Sequence, residues 1–266
     1  MIWALVATLA VVPIGVFVIR PRLGRLFKGD FQGVKTEAFI APILTLTVFL
    51  CAFVVAQATG TYQRANQSAS AEGSAVQLLY ENAGMLPAGS GQALQAASVC
   101  YARAVHHLEW PAMEKQQSSP VVDIWAQRFN QEIPAITSGP GAIVGQVVGL
   151  NRAQSEARAT RLNEAAPHLP VLTLALMVFA ILTVVLILTS FAIVDMRRKV
   201  LLALALPLAV LLGFTPYLVE TLEEPFSGLI QISPNVITKV ETNLGADYLA
   251  THPGAALPCD AEGRPV

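Results

Sequence analysis

The run LPVLTLALMVFAILTVVLILTSFAIV, from Leu169 to Val194, carries no charged residue. A helix rises 1.5 Å per residue, so about 20 apolar residues bridge about 30 Å of hydrocarbon while every backbone group bonds internally. The run is therefore a membrane span, and long enough to tilt. Three more runs meet the same requirement: Ile2 to Ile19, Phe39 to Ala56 and Val200 to Val219. The first two are near the lower length limit, which places their ends in the interfaces. Composition agrees, with 54% hydrophobic and 13% charged residues and a mean hydropathy of +0.55. The fold class that follows is all-α: an integral membrane protein with four transmembrane helices and a helical extramembrane domain between spans two and three.

The first span could be a secretory signal, but no Lys or Arg precedes it and no small-residue cleavage site follows. The basic cluster RPRLGR at 20–25 instead marks a retained span with a cytoplasmic stop. Basic residues in short loops stay on the cytoplasmic side. Arg20, Arg22, Arg25, Lys28 and Lys35 separate spans one and two, and Arg197, Arg198 and Lys199 separate spans three and four. Both termini and the central segment are then expected outside the cytoplasm. The chain divides into a first hairpin with its basic loop (1–58), an outer helical domain (59–168), a second hairpin with its elbow (169–234) and an outer C-terminal tail (235–266).

The central segment carries helical stripes: Val76, Leu79, Tyr80 and Ala83; Leu94, Tyr101, Val105 and Leu108; Val122, Trp125, Phe129 and Ile133. SGPGA at 138–142 breaks the chain before a last helix. The first and last helices of this domain are expected to continue spans two and three beyond the lipid.

The formal net charge of -1 gives no basis for nucleic-acid binding, which needs clustered Lys and Arg. No G-x-S-x-G elbow, H-E-x-x-H pair or phosphate-binding glycine loop is present. Neither an enzyme nor a cofactor is expected. The span interiors lack Lys and carboxylates, which argues against a proton-coupled transporter. The partners expected are the lipid bilayer, inorganic ions and further copies of the chain.

Several pieces carry a family resemblance. Glu72 with LLY at 78–80, EWP at 109–111, the approach NRAQSEARATRLNEAAPHLP at 151–170 and EEPFSG at 223–228 resemble the bestrophin-like family of bacterial four-span membrane proteins. The resemblance covers most of the chain from span two onwards. It gives Glu72, Tyr80, Glu109, Trp110, Pro111, Pro225, Phe226 and Gly228 the standing of structural motif residues. It also implies a distant relation to bestrophins, which are oligomeric ion channels, mostly for anions. Bestrophins keep both termini and their large helical domain in the cytosol, opposite to the orientation that the basic loops here predict. Their pore-neck pattern of apolar aromatics is not found in this sequence.

Two function classes follow: an oligomeric ion channel, with anion selectivity slightly favoured, or a non-conducting scaffold that binds envelope partners through its outer helices. Thr45, Thr47, Thr183 and Thr189 offer hydroxyls at helix contacts or along a pore. LEEPFSGLIQISP at 222–234 reads as an elbow, because Pro225 interrupts a helix and Gly228 permits a sharp turn. Phe226 would anchor it at the interface or against the protein. Alternatively, Glu220, Glu223 and Glu224 would line a pore mouth. Arg152, Arg158 and Arg161 would form an anion vestibule or, more plainly, pair with Glu72, Glu156 or Glu164. His106, His107 and Glu109 offer metal-ligand types, but only His106 and Glu109 share a helix face and no third ligand is identifiable beside them, so no metal is expected. Trp110 and Pro111 are expected to end their helix and to pack it against its neighbours or the membrane interface. Cys51 lies in span two. Cys100 and Cys259 fall on the predicted outer side, where a disulfide can persist, and are expected to pair.

Overall fold

A computed structural model describes residues 2–26, 37–136, 139–191 and 198–266. Lys28, Lys35, Arg197, Ser138 and the 192–194 end of the third apolar run lie outside them. Among the described residues, four helices are long and apolar enough to cross a membrane, spanning Ile2–Leu23, Ile40–Ala83, Val171–Ser190 and Lys199–Glu223. The protein is an all-α, multi-pass membrane protein. Its chain forms two compact units, Met1–Gly60 with His168–Glu223, and Thr61–Pro167 with Glu224–Val266.

The first unit holds α1 (Ile2–Pro13), a π turn (Ile14–Ile19), α2 (Arg20–Leu26), the start of α3 (Glu37–Ala83), α8 (Val171–Phe191) and α9 (Arg198–Glu223). Val12, Val54, Met177, Ile181, Val184 and Leu212 form its core. Between spans there is little hydrophobic drive, so close approach of backbones matters. Gly15 supplies it: a Cβ there would lie 1.9 Å from Thr189 Oγ1. Thr45, Thr47, Thr183 and Thr189 each return a hydroxyl hydrogen to the carbonyl four residues back. Thr47 and Thr189 are buried, Thr189 where Gly15 approaches it.

Helix α3 runs unbroken for 47 residues from the second span to Ala83. The last helix of the central segment does not run on in the same way. α7 (Gly141–Asn163) stops, and α8 begins anew at Val171. Pro167 and Pro170 stand in the gap, and each lacks a backbone donor and disfavours helix in the residue before it.

The second unit adds to α3 the helices α4 (Ala88–Ala104), a π turn (Val105–Glu109), α5 (Trp110–Met113), α6 (Pro120–Glu132), α7 and α10 (Asn235–Thr251). α4 packs against α6 and α10. Ile237, Val240, Leu244 and Tyr248 bury one stripe of α10, and Asp247 accepts the Tyr80 hydroxyl hydrogen at 2.8 Å. The final segment closes over this core. Cys259 is disulfide-bonded to Cys100, Arg103 donates to the Asp260 carbonyl at 3.0 Å, and Trp125 Nε1 donates to the Gly263 carbonyl at 2.7 Å. Gly263 has φ +86°, and a Cβ on it would meet the Ala104 backbone nitrogen at 2.4 Å. Only glycine fits both constraints.

Trp110 and Pro111 do not end their helix; the chain continues helically to Met113. Pro111 has no N–H to give and its ring crowds the preceding turn. The helix accommodates it by widening, so that the Trp110 N–H reaches back to the Val105 carbonyl. The same device appears before Pro21, where the Arg20 N–H reaches Gly15.

Candidate functional site

Within the second unit, Glu72 and Glu109, from separate motifs, converge with two arginines of α7 on one buried cluster. Arg161, on α7, has no exposed surface. Its Nε lies 2.5 Å from Glu72 Oε2 and its Nη2 lies 3.0 Å from Glu72 Oε1 and 2.5 Å from Glu109 Oε2. Arg158, one turn earlier, donates Nη2 to Glu109 Oε1 at 2.5 Å and pairs with Asp123 on α6 at 2.7 Å. The spacing of three residues puts both guanidinium groups on one helix face. Tyr101 donates its hydroxyl hydrogen to Glu72 Oε1 at 2.5 Å and accepts one from Gln154. The Ser119 N–H donates to Glu109 Oε1 at 3.3 Å, and Arg161 Nη1 reaches the Met113 sulfur.

Burial pushes Glu109 towards the neutral acid, but Arg158 and Arg161 outweigh it and hold the carboxyl below its ordinary value. Burial works against both guanidinium charges, yet carboxylate neighbours raise their pKa. The Tyr101 hydroxyl is pushed well up by burial and by Glu72 and Glu109, so it stays a donor. The cluster is a closed ion-pair lock with its charges met inside. For Glu109 the folded value lies below the unfolded one. Its contribution to stability is therefore fully present above the ordinary carboxylate range and disappears as pH falls through the folded value. The melting temperature of wild type should fall in acid. A Glu109→Gln variant should melt lower at neutral pH and show a flatter acid slope, which a pH series of thermal unfolding would read.

The other sequence candidates are placed as follows. Arg152 is exposed and pairs with Glu156 four residues on, and Glu164 pairs with Arg64. In the first unit, Glu223 is buried and its Oε2 accepts the backbone N–H groups of His168 and Leu169, each at 2.8 Å. These donors stand just ahead of α8, where a carboxylate also complements the helix dipole. Glu220 is half-buried, and Glu224 opens the elbow of the second unit. There Gly228 N–H donates to the Glu224 carbonyl and Ile232 N–H to the Pro225 carbonyl, both at 2.8 Å. Gly228 closes this turn without a left-handed φ; among the described glycines only Gly254 and Gly263 have a positive one.

Phe226 and Ile232 are buried in the helical core. Phe226 meets Trp110 edge-on at 5.4 Å between centroids, and Trp110 Nε1 donates to the Ile232 carbonyl at 3.3 Å. The Arg161 guanidinium lies 5.5 Å from the centre of the Trp110 ring. EWP thus has three distinct jobs: Glu109 in the lock, Trp110 between the lock and the elbow, and Pro111 setting the π turn. Beside the elbow lies a pocket of about 570 Å³ lined by His106, His107, Trp110, Glu114 and Phe226 among others.

The model of the bestrophin-like domain matches residues 6–237. The chain belongs to the bestrophin-like family. The fold of this bestrophin-like protein is similar to that of a bacterial bestrophin homologue from Klebsiella pneumoniae. One crystal structure of a point variant superposes with a TM-score of 0.70 at 12% identity, covering 93% of this chain and 98% of that one. A second crystal structure of the Klebsiella homologue gives 0.68 at 13% identity, covering 95% and 99%. No curated protein matches the chain.

Sequence reasoning missed Asp123 and Gln154 in the lock, and Glu109 as a partner of the arginines. Glu109 stands two and three residues from a histidine pair, which suggested a metal ligand. The π turn directs its carboxylate to Arg158 and Arg161 instead.

Proposed function

We propose that this bestrophin-like protein assembles as a closed homo-oligomer that conducts ions across the membrane. The observation that carries the proposal is the likeness to bacterial bestrophin homologues over nearly the full length of both chains, together with family membership. A single bundle of four apolar helices would not hold a water path open, whereas several subunits around one axis can enclose one. The second unit and both termini lie outside the cytoplasm in this proposal. The basic short loops support that orientation, and so does the disulfide in the second unit.

Anion preference, the finer part of the proposal, rests on the family resemblance. Arg158 and Arg161 do not supply it, because carboxylates inside their own domain meet their charges. Surface candidates for tuning selectivity are Arg152, Glu220 and Glu224.

Purified oligomer in planar bilayers under a KCl gradient tests the reading. Currents reversing towards the chloride potential are expected. Reversal towards the potassium potential would overturn the anion preference alone. A correctly assembled particle that passes no current over a range of voltage, pH and calcium would overturn conduction and favour the scaffold.

A further inference from the structure

The π turn that serves the lock also does something the lock does not use. His106 and His107 are consecutive, and on an ordinary helix they would diverge by about 100°. In the widened turn both reach Glu241 on α10. His106 Nδ1 lies 2.6 Å from Oε2, and His107 Nε2 lies 3.2 Å from Oε1. One ligand atom from each of the three side chains lies within 4.8 Å of the other two. π turns inside helices recur at functional sites.

Thr238, also on α10, fixes how His106 is presented. Its hydroxyl hydrogen goes to the Pro234 carbonyl at 3.0 Å. The Thr238 oxygen is then the acceptor for His106 Nε2–H at 3.1 Å, and in the neutral imidazole this leaves the lone pair on Nδ1. That lone pair points at a carboxylate oxygen 2.6 Å away. Two acceptors hold that distance only with a proton or a cation between them.

We propose that His106, His107 and Glu241 form a site for a divalent transition ion of the zinc class. Two imidazoles and one carboxylate suit zinc, cobalt or nickel rather than calcium or magnesium, which take oxygen ligands. Ligands about 2.0–2.1 Å from a tetrahedral ion stand about 3.3 Å from each other. His107 Nε2 is already near this distance from Oε1, while His106 Nδ1 lies closer, against Oε2, so the carboxylate must turn to offer one oxygen to an ion held by both rings. Thr238 acts as the outer partner that sets the His106 tautomer and ring orientation. The remaining coordination position is left for water or for a group entering the adjoining pocket, where Glu114 and the Trp110 and Phe226 rings form part of the wall. The site is independent of whether the protein conducts.

The test uses full-length protein in detergent, free of any histidine tag and stripped with EDTA. Titration with Zn²⁺ by calorimetry, and with Co²⁺ followed by its visible absorption bands, should show one saturable equivalent per chain. An H106N/H107N double variant and Glu241→Gln should each weaken binding about tenfold or more. Acid should displace the ion, because imidazole must lose its proton to bind. Binding that is unchanged in these variants, or no saturable binding in wild type, would overturn the site and leave a proton-bridged His106–Glu241 pair. If the Glu241 variant does not fold, His107→Asn decides the question, since His107 is partly exposed and makes no contact in the lock.

Discussion

Replacing Arg161 by Met should abolish most of the folded population of the helical domain. The side chain is wholly buried and is the direct link between Glu72 and Glu109. Removing it leaves Glu72 with only the Tyr101 hydroxyl among its partners described above, and removing one member of a buried ion pair costs about 3–5 kcal/mol. Against a total stability of about 5–15 kcal/mol, that loss is decisive. Thermal unfolding in detergent would show a large drop or no cooperative transition. Arg152→Met, on the exposed face of the same helix, should shift stability by no more than about 0.5 kcal/mol. A paired R161M/E72M change should recover part of the loss, because it removes both buried charges together. An R161M protein that melts like R152M would mean that the lock contributes nothing.

Opening the Cys100–Cys259 disulfide should have an effect of similar size. The two cysteines are 159 residues apart in sequence, and in the chain-entropy account a loop of that length is worth about 5 kcal/mol. A C100S/C259S variant and reduced wild type should melt at the same lowered temperature. Alkylation and intact mass on protein taken directly from cells should find only Cys51 free. Two further reactive thiols would place the second unit in a reducing compartment and reverse the proposed orientation.

The spans were legible because the bilayer imposes a simple rule on length and polarity, and Leu169 to Val194 obeys it without exception. The outer helices were legible where apolar residues recur at helical spacing, as at Val122, Trp125 and Phe129, all of them buried. The same spacing at Ile237, Val240, Leu244 and Tyr248 is the signal for α10, within the segment expected to be a C-terminal tail. Pro167 and Pro170 likewise announce the break before α8. The lock was only half legible. Arg158 and Arg161 visibly share a face, but Glu109 precedes Arg158 by 49 residues, and no local period ties them. Pro111 has the sequence mark of a helix stop, because proline rules describe lost bonds. A helix that widens by one residue escapes them, and that widening turns Glu109 inward while His106 and His107 reach α10.

The second unit is built from two stretches of chain, Thr61–Pro167 and Glu224–Val266, separated by His168–Glu223. Ribosomes add roughly 5–20 residues per second, so the first stretch exists for several seconds before α10 and Cys259 are made. During that interval the surfaces of α4 that α10 and the final segment will cover, and the Trp110 face that Phe226 will fill, remain open. Completion of this unit therefore waits until both later spans have been synthesised. A truncation anywhere beyond Glu223 would leave a protein with all four spans inserted and an unfinished domain, a natural substrate for the quality-control proteases of the membrane.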